Sequence, residues 1–289
     1  MSPTEHTGEV RAAFEHCLAV ARAHYENFPV ASRLLPAERR PYVAAIYAFA
    51  RAADDMADEG DLDAAERLRQ LDRWEALLDE AYAGTASHPV FLALGATAAR
   101  FGIPRGLFGD LLAAFRADAI QQRYGSFDEL LGYCRHSANP IGRLVLLVFE
   151  DFRERTAVLS DAICTGLQLA NFWQDLSVDL PRGRLYLPLD DLERFGYTEE
   201  TLRAGRYDER FGRLLAEQIR RTRERFDAGR PLVHEVSRAL RMEVFLTWHG
   251  GMAILEEVER QGAQVLTRRP VLSPLRKLSI AAAALLRMR

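Results

Sequence analysis

The chain has little cysteine, no long apolar run and almost no net charge, and each shortage removes a class of protein. Its three cysteines, Cys17, Cys134 and Cys164, are odd in number and widely spaced, with no CxxC or Cys/His pattern. Such a set makes neither a disulfide framework nor a zinc site. The expectation is core packing for all three in a reducing cytoplasm. The long apolar stretches, such as 144–149 and 280–286, fall far short of the roughly 20 residues a membrane-spanning helix needs. Residues 1–10 are polar and lack the apolar core of a secretory signal. Lys plus Arg number 38 against 41 Asp plus Glu, a net charge of −3. The broad basic excess of a nucleic-acid binder is therefore missing. Also missing are a Gly-rich strand-to-helix loop of the Rossmann type, a Ser/His/Asp hydrolase signature, a low-complexity linker and an internal repeat. The seven histidines are scattered, and His249 beside Gly250-Gly251 reads as structural.

What is present is helical pattern. Ala, Leu, Arg and Glu dominate, all strong helix formers. Apolar residues recur at three- and four-residue spacing, as in Phe14, Cys17, Leu18, Ala21 and in Leu68, Leu71, Trp74, Leu77, Leu78, Ala81. No run alternates in the manner of a strand. Pro29 and Pro36 bracket a loop, and Pro41 stands where a helix should start. His88-Pro89, residues 102–104 and Gly125-Ser126 mark turns. Ser126 with Glu129 fits a capping box. One helix is predicted from about Ser160 to Leu180, closed by Pro181 to Gly183. An irregular connection follows over 183–209, then two long helices over about 207–230 and 234–262. Pro270 and Pro274 precede a short basic helix from about 270. The expectation is an all-α chain, a single domain over 1–289 with about a dozen helices.

Two acidic constellations interrupt the apolar pattern. The first reads Y47-A-F-A-R51-A-A-D54-D55-M-A-D58 and follows the nearly all-apolar residues 42–50. Asp54 and Asp58, four apart, share a helix face, and Tyr47 and Arg51 continue that stripe. A DDxxD pattern suits Mg²⁺ shared with a diphosphate, because this hard ion takes carboxylate oxygens together with substrate phosphates. A solvated acidic face is the competing reading, since Glu59, Asp61 and Asp63 follow at once. The second reads N171-F-W-Q-D175-L-S-V-D179 in a helix otherwise rich in apolar residues. Asn171, Asp175 and Asp179 step by four along one polar line. Buried carboxylates need compensation, either from a bound cation or from an arginine on a neighbouring helix. Both readings stay open here. Arg182 and Arg184 follow directly and suit phosphate oxygens, and the Tyr186 ring suits a carbocation.

Taken together, these residues resemble the squalene/phytoene synthase family. The resemblance rests on DDxxD at Asp54 to Asp58, NxxxDxxxD at Asn171 to Asp179, Y-A-F-A-R before the first and R-G-R-L-Y-L-P after the second. Further matches are F28-P-V-A-S32-R33-L-L-P36, Tyr133-Cys134 and V265-L-T-R-R-P-x-L-S-P-L-R-K277. It implies the all-α isoprenoid synthase fold around a central cavity. Asp54, Asp58, Asn171, Asp175 and Asp179 would hold Mg²⁺. Ser32, Arg33, Arg51, Arg182 and Arg184 would be on the diphosphate side, and Tyr47 and Tyr186 near the reacting carbons. Members join two prenyl diphosphates head to head through a cyclopropyl intermediate, or act on that intermediate. Within the family, E26-N-F-P-V-A-S-R-L-L-P and S137-A-N139-P140-I-G142-R-L look most like the bacterial hydroxysqualene synthases of hopanoid biosynthesis. These ionise presqualene diphosphate and let water capture the cation, without NADPH. A prenyltransferase making presqualene diphosphate or phytoene is the alternative. A non-catalytic scaffold relative would be expected to lose the acids.

Phytoene and squalene synthases usually have small residues where this chain has H136-S-A-N139-P140-I-G142. Asn139 is therefore a candidate for positioning water beside an expected helix break, with satisfaction of the backbone freed by Pro140 as the simpler role. Residues 268–289 contain six basic residues and no acid. With their leucines they make either a peripheral contact with an anionic membrane surface or a helix packed on the domain with a solvated basic face.

Overall fold

A computed structural model describes residues 8–23, 35–58, 60, 62–204 and 207–287. Among them there is no strand, only an isolated bridge between Arg123 and Leu185. The all-α expectation holds. Fifteen α-helices are described: α1 Gly8–Ala23, α2 Arg40–Asp58, α3 Ala64–Ala83, α4 Pro89–Phe101, α5 Arg105–Ile120, α6 Phe127–Ser137, α7 Asn139–Val148, α8 Glu154–Gln174, α9 Leu176–Asp179, α10 Leu189–Arg194, α11 Glu199–Arg203, α12 Glu209–Gly229, α13 Leu232–Glu235, α14 Arg238–Gln261 and α15 Pro274–Arg287. The chain divides into two compact units, each assembled from separated stretches. One comprises 1–120, 140–157 and 237–240. The other comprises 121–139, 158–236 and 241–289.

In the first unit α2 is the core element. Tyr42, Val43, Ala44, Ala45, Ile46, Ala48, Phe49, Ala53 and Ala57 are all buried, so the helix is covered on most sides. Alanine at so many of these positions lets α1, α3, α4 and α5 approach closely. Phe49 is fully buried against Trp74, Phe91 and Phe108 at ring separations of 6.1, 5.9 and 5.1 Å. Burying one such ring stabilises the fold by about 2 kcal/mol or more. Local chemistry sets the helix ends. Asp63 accepts from the Glu66 amide to start α3, and His88 with Pro89 starts α4.

In the second unit α8 and α12 pack without a gap. A Cβ at Gly229 would stand 2.5 Å from Ile163 Cγ1 and 2.8 Å from the Leu159 carbonyl oxygen, so only glycine fits. Trp173 is fully buried and donates its indole N–H to Thr222 Oγ1 at 2.8 Å. Asp191, buried on α10, accepts from Gln218 Nε2 at 2.8 Å and from Arg221 Nη1 at 2.5 Å. This carboxylate is fully compensated by protein.

Several expectations shift. The capping box at Ser126 forms, but Glu129 reaches the Gly125 amide at 2.6 Å rather than the amide of Ser126 itself. The helix expected over Ser160 to Leu180 begins earlier, at Glu154, and bends at Asp175. The long helix expected over 234–262 is preceded by the separate turn of α13. Cys17 and Cys134 are buried as expected, and burial pushes each thiol up to about 12, while Cys164 is only half-buried.

Candidate active site

On α2 the predicted stripe is present. Arg51 pairs with Asp55 one turn on, and with Asp54 at 3.4 Å. Its side chain is 20% exposed against 48% for Asp54. The arginine is thus held beneath, and the carboxylate opens outward. Tyr47, one turn before Arg51, buries a hydroxyl oxygen that has no hydrogen-bond partner. Burial raises its pKa, against the pull of the Arg51 charge. Asp58 is half-buried on the last turn of α2. The first set therefore joins a phenol, a guanidinium and three carboxylates within about a 100° sector of one helix. Ser32 and Arg33 lie outside the described residues.

The second set spans the bend. The Asp175 amide donates to the Asn171 carbonyl at 2.9 Å and the Asp179 amide to the Asp175 carbonyl at 2.8 Å. Asp175 itself leaves helical geometry, at φ −98° and ψ 9°. The four-residue steps survive this change of direction. Asn171 is exposed while 169, 170 and 172–174 are buried, so the polar line opens outward from an apolar helix.

Arg269, which the sequence reading placed only in the late motif and the basic C-terminal segment, grips both oxygens of Asp175, the second through Nη2 at 3.1 Å. Its neighbour Pro270 accepts from the buried Gln174 Nε2 at 2.7 Å, which fixes the approach. An arginine thus compensates Asp175, as one of the two readings expected. Asp179 remains under-compensated. Burial and the adjacent Asp175 push it up to about 6, against the pull of Arg182 and Arg269. A cation beside Asp179 would relieve that repulsion.

No group of three or more His, Cys, Asp or Glu forms a metal cage among the described residues. Mg²⁺ does not require one, since it keeps waters and shares one or two carboxylates with substrate phosphates. The hard oxygens of Asp54, Asp58, Asn171, Asp175 and Asp179 fit that habit.

Beyond Asp179 a 3-10 turn over Leu180–Arg182 leads to Gly183, whose φ of 86° closes the loop. Arg182 is exposed, and the Arg184 amide donates to the Asp179 carbonyl at 3.0 Å. Tyr186 stacks on Phe172, with centroids 3.9 Å apart and planes within 10°. Tyr124 and Tyr133 lie 5.8 and 6.3 Å from the same ring. Of the aromatic residues flanking the acidic motifs, Phe172 joins this group, whereas Phe49 and Trp173 are core.

Sequence reasoning also missed what holds the loop. Arg123 donates to the Gly183 carbonyl at 2.5 Å and to both oxygens of Glu199, at 2.5 and 2.8 Å. Arg203 donates to the same Glu199 at 2.8 Å and to the Leu180 carbonyl at 3.1 Å. One carboxylate on α11 thus orients two arginines that clasp both ends of the turn. Arg123 and Glu199 stand 76 residues apart, and no local pattern joins them.

Two outcomes follow from this geometry. Glu199→Ala frees both arginines, and the displaced loop lowers kcat about 10- to 100-fold with helix content unchanged by circular dichroism. In the folded chain Asp179 keeps its proton to about pH 6, whereas an ordinary aspartate releases it near 3.8. The folded state therefore binds more protons in that window, and metal-free stability falls as pH rises through it. Urea unfolding at about pH 4 and about pH 7 reads this slope, and Asp179→Asn lessens it, with the share of Glu243, pushed up to about 7 by burial, remaining.

Comparison with known proteins extends over the whole chain. The Squalene/phytoene synthase family profile matches residues 9–276. A phytoene synthase of Arthrospira platensis is 32% identical, over all of this chain and 97% of that one. Phytoene synthase 3 of Zea mays is 32% identical over 99% of this chain and 68% of its own length. The crystal structure of squalene synthase HpnC from Alicyclobacillus acidocaldarius superposes with a TM-score of 0.84 at 41% identity, covering 90% of this chain and 98% of that chain. A dehydrosqualene synthase, at 22% identity and a TM-score of 0.87 over 97% and 98% of the two chains, shares the fold. The helical architecture is that of the isoprenoid synthases, and the chain belongs to the squalene/phytoene synthase family.

Proposed function

We propose that this chain is a hydroxysqualene synthase acting on presqualene diphosphate, and that its two acid sets serve one diphosphate within a single catalytic domain. The observation that supports it most directly is Asp179, a carboxylate pushed up to about 6 beside Asp175 and two arginines, in want of a further cation. Bound Mg²⁺ would supply charge neutralisation to the departing diphosphate. Asp54, Asp58, Asn171, Asp175 and Asp179 would hold it. Arg51, Arg182 and Arg184 would add charge-assisted hydrogen bonds, with Ser32 and Arg33 on the same side. The C–O bond breaks and its electron pair leaves with the diphosphate. Tyr47 and the Tyr186 group face the cation that results, water adds to carbon, and a proton is lost. No nucleotide cofactor takes part.

The departure at Asn139 supports the water-capture step. The α6–α7 break falls at Ala138, beside Pro140 as expected. Asn139 is buried, and its Oδ1 accepts from Thr165 Oγ1 at 3.0 Å. That bond fixes the amide plane and aims the amide nitrogen, a donor able to hold a water.

A head-to-head prenyltransferase is the second reading, favoured by the phytoene synthase names of the curated relatives. The retained acids speak against a scaffold role. No helix among the described residues is long and apolar enough to cross a membrane. The reading places the enzyme on the cytoplasmic side, with peripheral membrane contact through α15.

The purified chain with presqualene diphosphate and Mg²⁺, and no reductant, is expected to release hydroxysqualene, while farnesyl diphosphate alone gives no product. Formation of presqualene diphosphate or phytoene from smaller diphosphates would transfer the assignment to the second reading. Asp54→Ala and Asp175→Ala should each lower turnover by about 10³-fold or more with the fold intact; activity retained in either removes that residue from the metal site. Asn139→Ala should shift product from alcohol toward diene or cyclopropyl compounds, and an unchanged ratio by gas chromatography would end the water-positioning role.

A further inference from the structure

Two helices of the second unit, α8 and α14, both pack against α12. On α8, Ile163, Gly166 and Trp173 meet Gly229, Phe226 and Thr222 of α12. On α14, Trp248, Gly251 and Glu259 meet Arg230, Phe226 and Arg223. Both orders are reversed, so α12 is antiparallel to each and α8 and α14 run parallel. They touch at Gly251, where a Cβ would stand 2.7 Å from Leu167 Cδ2.

The helical period says what lies on either side of that contact. At 100° per residue, the α8 residues facing α12, Gly166, Ile163 and Leu159, lie about 40 to 100° to one side of Leu167. Asn171, Cys164 and Gln168 lie about as far to the other side. On α14, Trp248 is about 60° to one side of Gly251, toward α12. Glu243, Thr247, Gly250 and Ile254 are about 40 to 100° to the other. Both strips turn away from α12 and flank one trough. The four α14 residues are half-buried, and a Cβ at Gly250 would meet nothing within 4 Å, so the trough has room.

Glu243 stands at the end of this trough far from the catalytic acids. It comes eight residues before Gly251, and Asn171 comes four after Leu167. At about 1.5 Å per residue, Glu243 is about 18 Å from Asn171 along the helices and about 24 Å from Asp175. Its Oε2 is enclosed and has no hydrogen-bond partner among the described residues, and burial pushes the carboxyl up to about 7. A five-carbon prenyl unit extends about 5 Å with C–C bonds of about 1.5 Å. From a diphosphate held at Asn171 and Asp175, three units span about 15 Å and stop short of Glu243. Four units span about 20 Å and reach it. An apolar chain end pressed on a carboxyl strips its remaining water and offers no hydrogen bond in return.

We propose that Glu243 determines chain-length specificity as the polar floor of this trough, admitting fifteen-carbon chains and turning back twenty-carbon ones, an inference that rests on the acid sets being the prenyl diphosphate site.

Titration calorimetry with Mg²⁺ tests this, using thiolo analogues of farnesyl and geranylgeranyl diphosphate, whose C–S bond does not ionise. The unmutated chain is expected to bind the fifteen-carbon analogue at least about tenfold more tightly than the twenty-carbon one. Glu243→Ala should gain about tenfold for the twenty-carbon analogue and keep its fifteen-carbon affinity within about twofold. Glu243→Gln, polar and of the same size, should retain the preference, with circular dichroism unchanged in both variants. Gly250→Phe, about 10 Å nearer the acids, should weaken both analogues. Four results would each overturn the proposal: equal affinities in the unmutated chain, a preference that Glu243→Ala keeps, one that Glu243→Gln loses, or unaltered binding in Gly250→Phe. Binding of neither analogue would remove the diphosphate site and the proposal with it. Since binding is read and not product, failure of the hydroxysqualene assay alone would overturn the function and leave the Glu243 preference standing.

Discussion

Negative charge on otherwise apolar helices is the constraint on which the rest of this structure depends. A carboxylate with dry flanks must find a cation or hold its proton. The chain shows three solutions. Asp191 is satisfied by Arg221 and Gln218 and serves the core. Asp175 is held by Arg269. Asp179, beside it, is held only in part and is pushed up to about 6. On α2 the same logic appears one step milder, with Arg51 beneath Asp54 and Asp55. Asp179 lies in the second acidic motif, whereas Glu243 on α14, pushed up to about 7 by burial, lies outside both motifs.

The surrounding structure keeps those acids in place. The bend at Asp175 turns the chain out of α8 while preserving the hydrogen bonds that space Asn171, Asp175 and Asp179. Gln174 and Arg269 join the bend to the segment before α15. Glu199, through Arg123 and Arg203, holds the carbonyls of the turn that follows. Close approaches such as Gly229 against Leu159 and Ile163 give α8 a rigid backing. The loop that carries Arg182 and Arg184 is thus fixed by residues from other helices.

The fold and acidic motifs are common to enzymes that make hydrocarbons of several kinds, so they cannot choose among products. The Asn139-Pro140 pair places a buried amide at a helix break. Its oxygen accepts from Thr165 Oγ1, which fixes the amide at that break.

The sequence by itself determined the helical class, the α2 stripe, the capping box at Ser126 and the four-residue spacing of both acid sets. All of these are local, written in periods of three to four residues that one helix imposes on its own side chains. It could not show the bend at Asp175, because the spacing of side-chain types is the same on a straight helix and a kinked one. Nor could it pair Asp175 with Arg269, 94 residues on, or Arg123 with Glu199, 76 residues on. In a chain with 38 basic residues and 41 acidic ones, composition leaves every such pairing open. Only the packing of distant segments selects one, because an ion pair needs its partners within a few ångströms and chain order sets no such distance. The same holds for α15: its leucines and basic residues were legible, but which face stayed uncovered was decided by what the rest of the fold left beside it.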